Sequence, residues 1–289
     1  FIAPQELVVP DIFQYHSMVS LVVGASTNLG YQVLKKLSRI YKGKIYFTTE
    51  DETLGFNLQS TLNRPDLHYL QMDITYTNSI VKLRHFIQDR DERIDLLINV
   101  TDYIPEKKLK RVERARRIFS VNFYGFINFG KLVYPILDDD ARVVNVSGPA
   151  GLLATIENEQ IRNRISDPTL TEDELVAIIQ EYEEAVRRGD ERTLGWGENV
   201  HAVSKVALNA VTFLQHREWC DRGIVINCVN PGSLISREGK RSSKLFEEGA
   251  NAILYLALEA PLSINGNFVW SNYSVVEWNC DPYVEVTTV

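Results

Sequence analysis

The sequence predicts an α/β fold with one doubly wound parallel sheet of about seven strands and helices on both of its faces. From Ser20 onward, short β-rich runs alternate with stretches of helical periodicity, which is typical of βαβ units. Several β-rich runs are continuously apolar (SLVVG, DLLINV, RVVNVS, IVINCV), as expected for strands that are covered on both faces. With 289 residues, 45% of them hydrophobic, the chain can form such a core as a single domain.

The elements follow one another in a regular order along the chain. Strands are predicted at residues 21–24, 44–48, 67–72, 95–100, 142–147, 224–230 and 267–270. Helices are predicted at about 29–41, 77–90, 112–137, 199–221 and 244–258. Because crossovers between parallel strands are right-handed, this order places helices on both faces of the sheet.

Three segments stand outside the alternation, which itself spans residues 20–278. Residues 1–19 combine prolines with many apolar side chains and are predicted to be an arm bound to the domain or to a partner. Residues 152–196 form a helical insertion that covers a cleft or an association surface, and the Thr171–Glu174 spacing predicts a capping box. The tail at 279–289 is expected to dock, like the arm, on another protein or assembly.

Composition excludes several classes of partner. The net charge is −7 and the 31 Lys and Arg residues are scattered, which argues against nucleic acid as the main partner. No apolar run approaches the ~20 residues of a membrane span. The three cysteines lie far apart without metal-type spacing, so no metal site is expected. They favour a reducing compartment, here taken as the cytoplasm, with the mitochondrion or a larger intracellular assembly as the alternative.

A glycine-rich turn joins the first strand to the first helix. At this position a dinucleotide pyrophosphate meets the N-terminus of a helix. The turn therefore supplies the first cofactor-binding candidates, which are Gly24, Ser26, Thr27, Asn28, Leu29 and Gly30.

Further motifs follow in the order found in short-chain dehydrogenases/reductases: Asp73, Asn99, Asn122 in SVNFYG, Ser147 in NVSG, Lys205, and Pro231-Gly232. From about Ser20 to Trp278 the chain resembles this family, most closely its monomeric NADPH-dependent carbonyl reductase branch. The insertion, GNFV at 266–269 and VEW at 276–278 are also similar to that branch. The resemblance implies a seven-stranded Rossmann sheet and hydride transfer from NADPH to a carbonyl. It also implies a monomer, because the insertion in this branch covers the helices with which other members pair.

The catalytic motif departs from the family pattern at one residue. Ser147, Asn122 and Lys205 occupy family positions, but His201 stands where the family has the tyrosine that donates a proton to the nascent alkoxide. His201 and Lys205 are four residues apart, so they share a helix face. Since an ammonium group disfavours a second positive charge nearby, His201 is expected to be uncharged near neutral pH and to be a poor proton source.

The cofactor motifs depart from the pattern as well. Asn28 replaces the middle glycine of the turn, a change tolerated because asparagine adopts positive φ readily. Glu50 stands where NADPH-selective relatives carry an arginine for the 2′-phosphate, so NADPH is disfavoured and NADH is tolerated better. Asp102 replaces a glycine that packs close to the cofactor.

Two functions therefore compete. The four departures at Asn28, Glu50, Asp102 and His201 favour a non-catalytic member, with no cofactor, kept as a structural or binding component. The other is an active NAD(P)H-dependent carbonyl reductase that uses Ser147, His201 and Lys205 with NADH or NADPH. Structural roles are open for the same residues. Lys205 caps a cavity or pairs with Glu198 or Asp102, and Ser147 is a strand-end hydroxyl. Asn122 supports a helix kink, His201 is a satisfied pocket-wall residue, and Thr27, Glu50 and Asp102 are ordinary surface residues.

Overall fold

The first strand, β1 (Val19–Val23), lies inside an eight-stranded sheet and all of its residues are buried. The computed structural model describes residues 18–90, 92–103, 108–234 and 242–279. The remaining strands are β2 (Lys44–Thr49), β3 (Leu67–Gln71), β4 (Ile94–Asn99), β5 (Leu137–Val146), β6 (Val225–Val229), β7 (Phe268–Val269) and β8 (Val275–Val276). Their order across the sheet is β3-β2-β1-β4-β5-β6-β7-β8.

The seven predicted strands are parallel, as expected from the buried apolar runs. The eighth strand, β8, was not predicted, and it pairs with β7 in the antiparallel sense. A tight turn connects these two strands: Tyr273 has a φ of 70° and its N–H donates to the carbonyl of Trp270. Two residues of β-rich sequence carry too little periodicity to indicate a strand.

Helices cover both faces of this sheet. The helices are α1 (Asn28–Ile40), α2 (Glu52–Leu62), α3 (Thr77–Gln88), α4 (Arg111–Phe119), α5 (Phe126–Val133), α6 (Glu159–Ile165), α7 (Glu172–Arg188), α8 (Val200–Trp219) and α9 (Ser243–Leu258). Helices α1 and α9 contribute to one buried cluster with β1, β2 and β4, and α3 and α5 contribute to another cluster on the opposite side. Helix α2 was missed because it buries only Gly55 and Leu58, so it has no apolar stripe for periodicity to detect.

The long helix predicted at 112–137 is interrupted by a π-helical turn. Helix α4 continues into a π-helix at Ser120–Gly125, which contains Asn122, and then into α5. A Cβ atom at Gly125 would lie 2.7 Å from the Ser120 carbonyl oxygen and 2.9 Å from that of Ile74, so glycine is required there. Asn122 lies within this π-helix, a type of turn that is frequent at functional sites.

The insertion covers the outer face of α4 and α8. Helix α7 begins at Glu172 with the predicted capping box between Thr171 and Glu174. Its apolar stripe is buried among residues of α4 and α8, and the rings of Tyr182 and Phe119 lie 5.5 Å apart. The Tyr124 hydroxyl also donates to Glu183 of α7 at 2.6 Å.

The end of the described chain is bonded to the start of the insertion. The indole Nε1 of Trp278 donates to the carbonyl oxygen of Gly151 at 2.6 Å, and the Leu153 N–H donates to the Trp278 carbonyl oxygen at 3.0 Å. Trp278 also packs edge-on against Phe213 of α8. Except for residues 18, 19 and 279, the predicted arm and tail lie outside the described residues, so their docking stays a prediction.

Candidate functional site

The carboxyl ends of four neighbouring strands bring most of the predicted site residues together. Gly24 follows β1, Asn99 ends β4, Ser147 follows β5 and Pro231 comes soon after β6. The strand order reverses between β1 and β4, and crevices at such switch points bind ligands in α/β sheets. A cleft of about 460 Å³ opens here, lined among others by Asn28, Leu29, Asp102, Ser147, Pro231 and Phe246.

The glycine-rich turn has an ordered, well-capped geometry. Gly24 has a φ of 88°, and a Cβ atom there would lie 2.9 Å from the backbone nitrogen of Thr101, so glycine is required. The Thr27 hydroxyl caps α1 by accepting a hydrogen bond from the Gly30 N–H at 2.9 Å. Asn28 is the first helical residue and does not have positive φ, so the expected reason for tolerating asparagine there is wrong.

One carboxylate oxygen connects three of the predicted catalytic residues. Oδ1 of Asp102 lies 2.9 Å from Nε2 of His201 and 3.1 Å from Nζ of Lys205. It also accepts a hydrogen bond from Nδ2 of Asn122 at 3.2 Å. The Asn122 oxygen in turn accepts from the Tyr103 N–H, and this holds the segment that carries Asp102 against the π-helix. Asp102 is therefore the centre of a polar cluster and not a free surface residue.

The charge of this cluster is balanced internally. Burial would by itself raise the pKa of Asp102, but the Lys205 ammonium and the bond to His201 outweigh it and lower that pKa well below the usual value. Lys205 is almost fully buried, and besides Asp102 it bonds only the Val146 carbonyl oxygen, at 3.3 Å, among the described residues. Of the two acidic partners expected for Lys205, the structure shows Asp102, because Glu198 pairs with Arg192 instead.

Ser147 lies in the wall of the cleft and carries a buried hydroxyl. Ser147 is 6% exposed, and its Oγ has no hydrogen-bond partner among the described residues. The backbone is fixed, because the Ser147 N–H donates to the Val229 carbonyl oxygen at 2.8 Å. A buried hydroxyl without a partner is uncommon in a folded protein, and this one lies beside the cleft.

Beneath the site, a buried network of side chains joins the strands to α8. Nδ2 of Asn99 donates to Oδ1 of Asn145 at 2.7 Å, and Nδ2 of Asn145 donates to the Thr212 hydroxyl at 3.1 Å. Asn99 is one of the predicted cofactor-binding residues, but its amide nitrogen donates to the side chain of Asn145. Sequence reasoning missed Asn145 and Thr212, although a polar residue inside the apolar run RVVNVS was an available signal.

A second, much smaller cavity of about 60 Å³ lies on the β2 side of the glycine-rich turn. Glu50 lines it, and both partial burial and the carboxylate of Asp73 raise the pKa of Glu50, which places these two acids close together. Asp73 also accepts hydrogen bonds from the N–H and hydroxyl of Thr75. On the other side of the cleft, Gly232 has a φ of 86° and its N–H donates to the Asn230 side chain.

Within the described part of the chain, no group of three His, Cys, Asp or Glu side chains lies close enough to hold a metal ion. In the same ranges, no helix is both long enough and apolar enough to cross a bilayer.

Known structures and sequences share this architecture. Salutaridine reductase from Papaver somniferum matches with a TM-score of 0.76 and 23% identity, covering 87% of this chain and 99% of that one. An NADPH-bound carbonyl reductase from chicken fatty liver matches with a TM-score of 0.64 and 17% identity, covering 91% and 99%. Carbonyl reductase (NADPH) 1 of Oryctolagus cuniculus is 29% identical over 255 residues, which are 84% of this chain and 91% of the relative.

The family model for short chain dehydrogenases matches residues 18–159. The chain belongs to the short chain dehydrogenase family. The predicted resemblance and the predicted fold class are thus confirmed, and relatives with the name carbonyl reductase extend the match well beyond residue 159. The relatives called carbonyl reductase are NADPH-dependent oxidoreductases.

Proposed function

We propose that this short chain dehydrogenase is a non-catalytic member of its family and acts as a structural or binding component. The observation that carries the proposal is the bond between the Asp102 carboxylate and the ammonium of Lys205, at 3.1 Å. In the family, the lysine and the cofactor's positive ring lower the pKa of the catalytic tyrosine. A lysine whose charge is balanced by a carboxylate gives this help to a much smaller degree, because opposite charges at this distance largely cancel at the site.

The residue at the tyrosine position is also committed elsewhere. His201 shares the same Asp102 oxygen, so the ring nitrogen at its tip faces a carboxylate and not the cleft. The Ser147 hydroxyl is unpaired among the described residues and lies beside the cleft, but the reduction of a carbonyl group also needs a positioned proton donor. This arrangement supports loss of the proton-transfer step.

NADPH, the cofactor in the names of the related carbonyl reductases, does not fit the residues present. Asp102 adds a carboxylate at the centre of the site, and Glu50 with Asp73 adds two more at the far side of the glycine-rich turn. The cavity beside these two acids measures only about 60 Å³. The mismatch supports the interpretation that NADPH is no longer bound productively.

A second candidate function is NAD(P)H-dependent carbonyl reduction with Ser147, His201 and Lys205. It is favoured by the cleft of about 460 Å³, by the ordered glycine-rich turn and by the free Ser147 hydroxyl. The names of the relatives point the same way.

Turnover separates the two candidates. Oxidation of NADH and NADPH is followed by absorbance with a reactive quinone and an aldehyde as acceptors. The wild type and His201→Tyr are expected to be inactive, because the tyrosine would meet a neutralised lysine and a misfitted cofactor site. The combination of His201→Tyr, Asn28→Gly, Glu50→Arg and Asp102→Gly is expected to recover measurable NADPH oxidation, far beyond the sum of the single changes. Robust wild-type turnover that His201→Ala abolishes would establish the reductase instead.

We also propose that the arm (1–19) and the tail (279–289) bind a protein partner or assembly. The apolar content of the arm supports this, since solvated tails are polar. Deletion of residues 1–17, which spares β1, should then remove partners from a pull-down or lower the melting temperature, and an unchanged partner list with an unchanged melting temperature would refute it.

A further inference from the structure

Basic side chains are concentrated at the start of α4, although those of the rest of the chain are scattered. Six of the ten residues from Lys108 to Arg117 are lysine or arginine, and one, Glu113, is acidic. With six positive charges against one negative, this segment carries +5 in a chain whose net charge is −7. The basic face is its exposed part, Lys108, Lys110, Arg116 and Arg117, and none of these residues lines the cleft or the smaller cavity.

The stability of α4 does not account for these charges. Lys110 is the N-cap residue and its side chain makes no capping bond, and cations near the N-terminus of a helix are unfavourable. Arg116 and Arg117 gain little from the dipole at the other end, because α4 continues directly into the π-helix and α5. The run of cations is therefore a cost to the helix that carries it.

Acidic groups within the protein are too few to neutralise the basic face. Glu113 is shared by Arg116 and Arg117, at 2.9 Å and 2.6 Å, so one carboxylate faces two guanidinium groups. Among the described residues, no acid forms an ion pair with Lys108 or Lys110, while the nearby carboxylates are taken by arginines. The basic face therefore keeps a surplus of positive charge at the surface.

The bonds of Glu113 show which anion the basic face holds well. Nε and Nη2 of Arg116 donate to the two carboxylate oxygens of Glu113, at 2.9 Å and 3.0 Å, which is the paired geometry of a guanidinium group with a carboxylate. The Arg116 side chain is still 68% exposed and that of Arg117 is 48% exposed. Carboxylates of another molecule can reach both side chains.

The surroundings of α4 disfavour a membrane and a nucleic acid as the partner. A helix that binds a bilayer surface needs an exposed apolar face, but Ala115, Ile118 and Phe119 of α4 are buried in the domain and only Val112 is exposed. The one aromatic side chain of α4, Phe119, is buried and cannot stack on a base. The net charge of −7 also repels a long phosphate backbone. A protein segment rich in carboxylates needs neither an apolar face nor a stacking ring.

We propose that the basic face of α4 binds an acidic segment of a partner protein through its carboxylates. Helix α4 has nine residues and is therefore ~14 Å long, a distance that about four residues of an extended peptide span. The proposal goes beyond the proposed function, because this surface lies outside the cleft and its binding does not depend on whether the cleft is catalytic.

The test is fluorescence anisotropy of the full chain with a labelled oligoglutamate peptide of about eight residues, which is long enough to cover the face. The double variant Lys108→Glu/Lys110→Glu reverses two charges of the face and should weaken binding by about tenfold or more. Its matched control, Lys42→Glu/Lys82→Glu, makes the same change in net charge at two exposed positions outside α4 and should keep the affinity within about twofold. Equal losses in the two variants, or no binding by the wild type, would overturn the proposal.

Folding provides an independent readout. Acidic residues at the start of a helix stabilise it, so Lys108→Glu/Lys110→Glu should melt at the same temperature as the wild type or at a higher one, followed by circular dichroism. Loss of binding without loss of stability is the expected result. A melting temperature that falls by several degrees would show that these lysines serve the fold, and this would count against the proposal.

Two further probes decide the class of partner. An oligothymidylate with the same number of charges and vesicles of phosphatidylcholine with phosphatidylserine are titrated beside the peptide. Tighter binding of either probe than of oligoglutamate would overturn the choice of an acidic protein segment. Wild-type turnover of a nicotinamide cofactor together with peptide binding would refute only the non-catalytic role, whereas absence of both would refute only the proposal for α4.

Discussion

Two layers of polar residues lie at the carboxyl edge of this sheet, and they differ in burial and in the partners of their side chains. The lower layer, Asn99, Asn145 and Thr212, is buried and bonded internally. The upper layer, which faces the cleft, contains the unusual residues Glu50, Asp102 and His201. A buried polar group that loses its partner costs the fold free energy, whereas a group that only touches a ligand costs the fold nothing when it changes. The contrast predicts that substitutions in the lower layer cost the protein more stability than substitutions in the upper layer.

A substitution in the lower layer should cause the largest loss in the free energy of unfolding. Asn145→Ala removes a donor to Thr212 and an acceptor for Asn99 in a fully buried position. We expect the free energy of unfolding to fall by about 3 kcal/mol, because two buried groups lose their partners. Urea denaturation followed by circular dichroism measures it. Asn128→Ala, which breaks one exposed bond to Thr77, is the control and should cost less than about 1 kcal/mol. Equal losses in the two variants would contradict the contrast.

The contribution of the upper layer to the free energy of unfolding should depend on pH through the carboxylate of Asp102. Asp102→Asn leaves Lys205 buried without a counter-charge and should destabilise the protein by about 2 kcal/mol at pH 7, less than for a fully buried pair because Asp102 is partly exposed. Because the pKa of Asp102 is lowered in the folded state, its contribution is complete above the unfolded value of about 3.9 and is lost as the pH falls further.

The difference in unfolding free energy between wild type and Asp102→Asn should therefore be constant from pH 7 to pH 5 and shrink below about pH 4. Glu198→Gln, which breaks an exposed pair with Arg192, is the control and should cost less than about 0.5 kcal/mol. A difference that stays constant down to pH 2 would show that the charge on Asp102 contributes nothing.

A smaller effect is expected at the edge of the upper layer. Glu50→Arg replaces a carboxylate beside Asp73 with a cation that can pair with a phosphate. We expect the ratio of NADPH affinity to NADH affinity to rise at least tenfold, about 1.4 kcal/mol, in calorimetric titrations at millimolar cofactor. In the wild type, NADPH should bind no better than NADH. A wild-type preference for NADPH of tenfold would show that another cation takes the place of the missing arginine.

Away from both layers, no self-association is expected. Helix α7 buries Tyr182 and its neighbours among residues of α4 and α8, the surface that the resemblance assigns to pairing in other branches. Sedimentation velocity at micromolar concentration should give a single species near the 33.0 kDa of the chain. A stable homodimer would show that pairing uses a different face.

The sequence predicted the parts of the fold that depend on periodicity. The buried strands and the long helices were read from apolar runs, and the α7 capping box from the spacing of Thr171 and Glu174. Helix α2 and β8 were missed because they bury too few side chains to set a pattern. At the site, the family order of motifs predicted which residues meet.

The sequence could not predict how these residues are paired. His201 and Lys205 were expected to act on each other, but a carboxylate 99 residues from the histidine lies against both side chains. Such a contact depends on strand order and on the π-helical turn that contains Asn122, and neither has a local signature. For the same reason, the division of the crevice into two unequal cavities appears only in the structure.

The hydrogen bonds of Trp278 to Gly151 and Leu153 hold the end of the domain against the start of the insertion, so that these two segments should move together. The carbonyl that receives the indole belongs to the first residues after Ser147, so the C-terminal segment also braces the wall of the cleft. A truncation or fusion that removes Trp278 should consequently change the position of the Ser147 hydroxyl, more than a hundred residues away in the sequence. A ligand bound in the cleft should in turn protect the C-terminus from proteolysis.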